Sequence, residues 1–409
     1  MTLAIFALAS LIESMGWGHI SVFTPIYLRE LHVSASGVPF WTGILGSVGT
    51  VIGFPLLPFW GAWAERFGRK AIIVRSAVIE AVIYAIAALA QNPYELMVAR
   101  AMSGFVMGNT GVMMAVQSEI SPAARVGLAI ASIAAGPSLA VAVGPLFGGF
   151  VAAGPGLRAL FWIDSALSVL SSLTLIVFLK EEVRERTGKR TATIAFEAVR
   201  DVVTIAPVRT LFIIFFLFGL GVSGIQTFYP IWFHEAWQAA HGTFLGRLPL
   251  TEALGIVVGV AGFAMGIATP LLGWVGDRIG TLRVLGVALW GNALGLMAQG
   301  IFPSLAGVAA GRVGQGVFQG GVSANVSTML VRVTPPERRS SVMNLAILPQ
   351  QIAWFVAPIS ATALVASVGL DPMILIMAAI ALAGAVLGAF LLPHLAAAEG
   401  AGPVPQRDL

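Results

Sequence analysis

Apolar runs of about twenty residues or more follow one another along almost the whole chain, and they leave few folds open to it. A soluble domain has about one charged residue in four. Here only 10% of the 409 residues are charged, 57% are hydrophobic and the mean hydropathy is +0.90. A helix needs about 20 apolar residues to cross a bilayer, whereas a membrane β-barrel shows alternating segments of about ten residues. The sequence therefore predicts an all-α integral membrane protein.

Charged loops and loops rich in Pro and Gly divide the runs into twelve predicted spans. The spans of the first half are 3–28, 38–60, 71–90, 94–117, 126–152 and 157–179. The spans of the second half are 210–233, 250–274, 282–301, 304–329, 340–367 and 372–393. The predicted domains are accordingly an N-terminal half at 1–180, a cytoplasmic linker at 181–209, a C-terminal half at 210–395 and a disordered tail at 396–409. The linker is expected to include an amphipathic helix on the membrane surface.

Lysine and arginine are distributed unevenly between the loops on the two sides of the predicted spans. If the N-terminus lies inside, the outer loops contain only Arg29, Arg158 and Arg247, and most of the 23 basic residues fall in the inner loops. Because inner loops of membrane proteins are enriched in Lys and Arg, we expect both termini in the cytoplasm and a multi-pass protein of the cell inner membrane. The same loops explain the pI of about 9.8 without a nucleic-acid partner.

A charged loop occurs twice in the sequence. GAWAERFGRK at 61–70 reappears as GWVGDRIGT at 273–281, and both copies have Gly first, an acid and Arg at the fifth and sixth positions, and Gly eighth. The offset of 212 residues also relates three other pairs, which are Pro58 and Pro270, Arg100 and Arg312, and Gly104 and Gly316. The repeat predicts two related halves.

The sequence offers little for catalysis or cofactor binding. It has no cysteine, and its five histidines are scattered without the spacing of metal ligands. We therefore expect neither an enzyme nor a cofactor or metal site.

Three motifs connect the chain to a known family. The duplicated loop resembles the signature that follows the second and eighth spans in major facilitator superfamily transporters. In the fourth span, RAMSG at 100–104 resembles the superfamily's R-x-x-x-G motif, and in the fifth, GPLFGG at 144–149 resembles the G-P-x-x-G-G motif of its exporters. Together with SEISPAAR at 118–125, these motifs make nearly the whole chain similar to twelve-span drug:proton antiporters. The resemblance implies two pseudo-symmetric six-helix halves, alternating access, proton-driven efflux of a small molecule and a monomer.

In that family the acid and Arg of the repeated loop belong to a charge network that latches the outward-facing state. The resemblance implies that this role falls on Gly61, Glu65, Arg66, Gly68, Arg69, Asp277 and Arg278. Independently of the family, the two glycines of the first copy allow two helices to approach closely, and its basic residues anchor the loop to anionic membrane lipids. The alternative interpretation is a topology signal alone.

Arg100 falls inside the fourth predicted span, where a charge is costly unless it is paired or hydrated. It either extends to the outer interface or is a buried cation that influences a nearby carboxylate. Glu13, in the middle of the first span, is the predicted partner, and the pair would bind and release protons. Glu80 in the third span is the second candidate, for which a structural pairing is an equally good interpretation.

The fifth span is rich in small residues around Gly144, Pro145, Gly148 and Gly149, which favours close helix packing. In exporters of the family this stretch packs against the eighth span. A packing role unrelated to export is the alternative.

The fold implies a central cavity, and its candidate lining residues are polar or aromatic. They are Trp17, His19, Asn109, Gln117, Gln226, Tyr229, Gln315, Gln319, Asn325, Asn344, Gln350 and Trp354. Some of these serve only to join neighbouring helices by hydrogen bonds. A pocket of aromatic and amide groups with one or two acids suits a hydrophobic neutral or cationic molecule better than an anion.

The leading hypothesis is therefore a proton-coupled multidrug efflux antiporter. Three alternatives stay open: an importer of the same fold, an exporter dedicated to one metabolite or siderophore, and a non-transporting membrane scaffold.

Overall fold

A computed structural model describes residues 1–106, 109–122, 125–179, 200, 202–240, 242–335 and 338–400. Every regular element in these ranges is helical. The first seven helices are α1 Thr2–Glu30, α2 Val38–Phe67, α3 Arg69–Leu89, α4 Pro93–Met102, α5 Asn109–Ile120, α6 Val126–Ala153 and α7 Leu157–Phe178. The next seven are α8 Ala206–Gln238, α9 Leu250–Ile279, α10 Thr281–Ile301, α11 Leu305–Val333, α12 Arg339–Asn344, α13 Leu348–Val368 and α14 Leu370–Gly400. The prediction of an all-α membrane protein is confirmed.

Ten of the described helices are long and apolar enough to cross a membrane. The fourth predicted span is interrupted, because α4 gives way to a 3₁₀ turn at Ser103–Phe105 and a second helix begins at Asn109. The tenth predicted span is the continuous helix α11, whose charged and amide side chains lower its hydropathy. These two spans therefore combine a membrane location with buried polar groups.

The predicted linker and tail fall largely outside the described residues. At their ends, the described residues are helical. Helix α8 begins at Ala206, four residues earlier than the predicted span, and α14 continues to Gly400 through the predicted start of the tail. The sequence at 396–399, AAAE, consists of strong helix formers, which explains why the helix does not stop at 395.

The first of two compact units comprises Met1–Thr191, Gln226–Phe263 and Pro358–Ser367. Within it α1 packs along α6 and α7, and α3 packs along α7. Five helices share one apolar cluster, which consists of Phe6, Ala9, Ile73, Ala77, Met113, Ile133, Leu175 and Leu179. The unit thus joins the N-terminal helices to the adjacent ends of α8 and α9 and to a short part of α13.

The second compact unit comprises Ala192–Ile225, Ala264–Ala357 and Val368–Leu409. Its described helices α10 and α11 approach closely because glycines replace side chains at their contact. A Cβ atom on Gly295 would lie 2.9 Å from the Cα atom of Gln315, and one on Gly311 would lie 2.7 Å from Cγ of Gln299. The residue ranges of these two units differ from those of the predicted halves at 1–180 and 210–395. The division of the chain into these halves stays a prediction.

The repeat is visible in the backbone at two equivalent turns. Gly68 joins α2 to α3 with φ 93°, and Gly280 joins α9 to α10 with φ 110°. These are the eighth residues of the two loop copies, and only glycine adopts such angles without strain. The duplicated glycine therefore encodes the same turn in both copies.

Candidate functional site

Glu13 lies in the middle of α1 and is partly buried. Nδ2 of Asn109 donates a hydrogen bond of 2.9 Å to Glu13 Oε2. Asn109 is the first residue of α5, so the interruption of the fourth span places an amide beside this acid. Among the residues that the structure describes, no Lys, Arg or His lies within ion-pairing distance of Glu13. A neutral amide therefore holds the carboxyl group.

A second acid, Glu80 of α3, is buried close enough to Glu13 and Asp164 for their charges to interact. Tyr84 lies one turn further along α3, and its ring packs against the backbone of Gly16 in α1, where any side chain would collide with it. Gly16 thus lets α3 approach α1 within a turn of Glu13. The result is a cluster of ionisable groups in the interior of the first unit.

Arg100 does not form the predicted ion pair with Glu13 in this structure. Its side chain is 3% exposed, Nε donates to the carbonyl oxygen of Leu45 in α2 at 2.8 Å, and the guanidinium group lies 4.6 Å from the ring centroid of Trp17. Gly104, the last residue of the R-x-x-x-G motif, makes this possible because its missing side chain lets the 3₁₀ turn touch the α2 backbone at Gly49. The R-x-x-x-G motif therefore places the Arg100 side chain between α2 and α1.

His19 of α1 and Asp164 of α7 form a buried pair. His19 Nδ1 lies 2.9 Å from Asp164 Oδ1 and 3.0 Å from Oδ2, and His19 Nε2 donates to the carbonyl oxygen of Gly144 in α6 at 2.8 Å. Neither side chain is more than 3% exposed. One imidazole ring consequently connects three helices.

The two adjacent glycines at the end of the α6 motif face different neighbours. A Cβ atom on Gly148 would lie 2.6 Å from Cδ2 of His19, whereas one on Gly149 would lie 2.6 Å from the carbonyl oxygen of Thr251 and 3.0 Å from the Cα atom of Gly255. Thr251 and Gly255 belong to α9. The motif thus allows α6 to approach α1 on one face and α9 on the other.

In the second unit, polar side chains form a chain along α11. Arg312 Nη1 donates to Gln315 Oε1 at 2.6 Å, and Gln315 Nε2 donates to Gln319 Oε1 at 2.6 Å. Asn292 of α10 donates to the carbonyl oxygen of Gln315 at 3.3 Å. These hydrogen bonds link Arg312 to the amide side chains of α11 and α10.

The structure describes some of the residues that were predicted to form the conformational latch. Arg69 Nη2 donates to Glu119 Oε1 at 3.0 Å, and in the second copy Asp277 pairs with Arg332 at 3.1 Å. The guanidinium group of Arg278 lies 3.8 Å from the ring centroid of Trp274. The side chains of Glu65 and Arg66 and the surroundings of Gly61 lie outside what the structure describes.

The sequence model of the Major Facilitator Superfamily matches residues 6–245 and 243–406, which together cover most of the chain. The chain belongs to the major facilitator superfamily. Superfamily membership makes this protein a membrane transporter and not an enzyme.

Within the superfamily, relatives named multidrug resistance protein MdtG are similar over most of their length. The protein of Enterobacter lignolyticus is 26% identical over 392 residues, which cover 95% of this chain and 90% of the relative. That of Salmonella arizonae is 26% identical over 369 residues, covering 89% and 88%.

A solved superfamily fold is also similar to the whole chain. The inward-facing, occupied structure of a bacterial homolog of the human lysosomal transporter Spinster matches with a TM-score of 0.75 and 16% identity, covering 96% of each chain. At this identity the match shows the fold alone.

The predicted cavity residues of the superfamily fold have varied surroundings. Gln117 is buried and its amide donates to the Ser121 hydroxyl at 2.9 Å. Asn325 is buried and donates to the carbonyl oxygens of Leu272 and Gly321. Their amide donors are therefore engaged within their own helices or by a neighbouring helix.

Other predicted cavity residues differ mainly in exposure. Tyr229 is buried, Gln350 is half-buried, and Gln226 and Trp354 are exposed. Trp17 is also exposed, at 38%, under the Arg100 guanidinium group. The side chain of Asn344 lies outside the described part of the chain. The cavity assignment remains a prediction.

Sequence reasoning missed Asp164. Its signal was a single acid inside the sixth predicted span, followed by serines at 165, 168, 171 and 172 that share one helix face. An acid within a span is a functional candidate by default, and the polar face shows that it points into the bundle.

Proposed function

We propose that this transporter exports small amphiphilic molecules across the inner membrane in exchange for protons, by alternating access, with both termini in the cytoplasm. The relatives named as multidrug resistance proteins support export of drug-like molecules. The α6 motif, which resembles that of the superfamily's exporters, supports the direction.

The observation that carries the proposal is the bond between Glu13 and Asn109. An amide has a donor and an acceptor. It can donate to the carboxylate and, after rotating, accept from the carboxylic acid. The pair can therefore satisfy Glu13 in both protonation states, which a fixed cation could not do.

Glu80 and Arg100 contribute to the electrostatic environment of the proton that Glu13 binds and releases. Glu80 is close enough to Glu13 for their charges to interact, so a proton on either acid favours ionisation of the other. Arg100 is tied to α2 and Trp17, and it supplies a permanent positive charge to the same bundle. In the proposed cycle an outside proton neutralises Glu13 and its release to the cytoplasm resets the transporter.

The charges within the described spans favour a neutral or cationic substrate. Among the described side chains within the spans of α1 to α7, the buried or partly buried acids are Glu13, Glu80 and Asp164, Arg100 is buried and Arg75 of α3 is partly buried. Arg312 in the second unit donates to a glutamine and forms part of an amide chain. Recognition of an anion calls for cations free to pair with it.

The test uses purified protein in liposomes loaded with a fluorescent cationic dye. An inward proton gradient should drive dye export by protein in the right-side-out orientation, with protons entering the lumen in exchange. Glu13→Gln should abolish gradient-driven transport while leaving dye binding measurable. Glu30→Gln is the matched control, since Glu30 is an exposed acid at the end of the same helix. Full gradient-driven transport by Glu13→Gln would contradict the role of Glu13, and dye uptake in the opposite direction would identify an importer.

A further inference from the structure

The pair formed by His19 and Asp164 has a defined number of protons. His19 Nε2 faces the carbonyl oxygen of Gly144, which can only accept, so this nitrogen carries a hydrogen. His19 Nδ1 faces the carboxyl oxygens of Asp164 at 2.9 and 3.0 Å, and these contacts require one more proton between the two groups. The intact pair therefore holds two protons and has no net charge.

Loss of the shared proton makes the contact repulsive. The lone pair of Nδ1 would then face a carboxylate, and an unpaired carboxylate away from water is costly. The contact opens and the proton passes to water that enters the bundle. No other bond forms or breaks in this step.

The His19 ring is fully buried and packs against α6. Gly148 lies against Cδ2 of the ring, and Phe23 packs beside the same glycine. The Phe147 ring centroid lies 6.1 Å from that of His19. We therefore expect opening of the pair to displace α6 relative to α1.

The displaced face of α6 is next to the one that touches α9, because consecutive residues of a helix point about 100° apart. Gly149 follows Gly148 in sequence and lies against Thr251 and Gly255 of α9. We consequently expect a movement of α6 at His19 to change the contact between α6 and α9. This connects the protonation of the pair to the helix contact that the exporter motif makes.

Other ionisable groups surround the pair. Glu80 and Tyr84 face Asp164 from α3, and Glu13 lies six residues before His19 on α1, about 9 Å along the helix. Arg100 is the permanent cation near Tyr84, and Asp164 is the acid that α7 contributes. The sequence of α6 at 126–153 has no ionisable side chain, and Glu252 of α9 lies beyond the opposite face of α6. Three acids thus share the interior with one permanent cation and one histidine.

The pair has no counterpart in the repeat. The offset of 212 residues places Ile376 at the position of Asp164 and Asn292 at that of Glu80, and the offset of 205 that relates TPIY at 24–27 to YPIW at 229–232 places Gly224 at that of His19. The ionisable cluster is therefore a property of the first half.

We propose that His19 and Asp164 form a second proton-binding site, separate from Glu13, whose shared proton holds α1, α6 and α7 together and is released when α6 moves. The inference deepens the proposed proton coupling and rests on it for its role in transport, but binding of the proton itself can be measured without transport.

The test is nuclear magnetic resonance of the purified protein in detergent micelles with ¹⁵N-labelled histidine. His19→Gln assigns the His19 signals among those of the five histidines. In a pH titration, loss of the proton shared by the pair should be seen as a change of the His19 Nδ1 signal from protonated to unprotonated in the wild-type protein. In Asp164→Asn it should stay constant, because the carboxamide cannot share a proton and the ring keeps one neutral form. Asp371→Asn, which changes an exposed aspartate, should titrate like the wild type.

Two results would overturn the proposal. One is a constant His19 signal in the wild-type protein over the whole pH range. The other is the same titration in wild type and Asp164→Asn. If Asp164→Asn does not fold, two other measurements decide the question. They are the titration of the His19 signal in the wild-type protein and the same titration in Glu13→Gln, which should persist because Glu13 belongs to a separate site.

Proton counting separates this inference from the proposed function. With both sites active, dye binding should release two protons from the wild-type protein, one from Asp164→Asn and one from Glu13→Gln. Loss of release only in Glu13→Gln would exclude the second site and leave the proposed function intact. A His19 titration without any dye-driven release would retain the site and reject proton-coupled export.

Discussion

Asn109 Nδ2 lies 2.9 Å from Glu13 Oε2, and these two residues are 96 positions apart in the sequence. The fourth span is interrupted between its Arg100 segment and its Asn109 segment. Asn109 bonds to α1, whereas Arg100 bonds to the carbonyl oxygen of Leu45 in α2. The two segments of the fourth span therefore present their polar side chains to different helices.

Replacing Asn109 by Leu should reduce at least tenfold the substrate-induced proton release that comes from Glu13, which is measured in the Asp164→Asn background so that the second site does not contribute. The substitution removes the donor to Glu13, and a hydrogen bond to a charged group contributes about 1.5–3 kcal/mol. The measurement is indicator-detected proton release on dye binding in detergent. Gln117→Leu is the matched control, because this buried amide of α5 bonds to Ser121 and not to an acid. Equal loss in both variants would point to damage of α5 and not to the Glu13 contact.

Gly149→Ala should lower the thermal stability and slow transport. The new Cβ would lie 2.6 Å from the Thr251 carbonyl oxygen, and backbone atoms cannot move aside without separating α6 from α9. Overpacking of this kind costs about 1–3 kcal/mol.

The melting temperature in detergent and the initial rate of dye export measure this effect. Gly266→Ala in α9 is the control, since a Cβ there meets nothing within 4 Å. A Gly149→Ala protein that melts and transports like Gly266→Ala would show that the close approach is not required.

Gly68→Ala and Gly280→Ala should destabilise the protein to a similar extent. Their φ angles of 93° and 110° are strained for any residue with a side chain, at about 1–3 kcal/mol each. The free energy of unfolding should fall by this amount, measured by denaturant titration of helical content. Gly286→Ala in α10 has open space around the new methyl group and should be neutral. If only one of the two glycines matters, the turns are not energetically equivalent.

Asp277→Asn should leave stability nearly unchanged but slow transport. The Asp277 and Arg332 side chains are 65% and 38% exposed, and exposed ion pairs contribute at most about 1 kcal/mol. A latch that distinguishes two conformations would still change the rate of exchange between them. The melting temperature and the transport rate, measured on one preparation, separate the two effects. An unchanged transport rate would leave the pair with a topological role only.

The membrane fold and its repeat could be read from the sequence because both depend on local properties. The length of an apolar run decides whether a helix spans a bilayer, and the glycine at the eighth position of each loop copy fixes a turn by its own φ angle. The interruption at Ser103–Phe105 was missed, since the sequence at 94–117 keeps a nearly continuous apolar character.

The partners of the charged groups could not be read in this way. The sequence indicated that Glu13, Glu80 and Arg100 lie within spans, but it predicted a pair between Glu13 and Arg100 that is absent here. Which faces meet depends on the rotation and crossing of helices, which side chains far apart in sequence determine together.

The sequence by itself determined that this chain is a duplicated bundle of membrane helices, because burial in lipid requires long apolar segments and their backbone hydrogen bonds must be satisfied within each helix. Only the tertiary structure decided that His19 meets Asp164, 145 positions away, and that adjacent glycines of α6 face α1 and α9. These contacts depend on packing at atomic distance, where the presence or absence of a single Cβ atom decides which helices can touch.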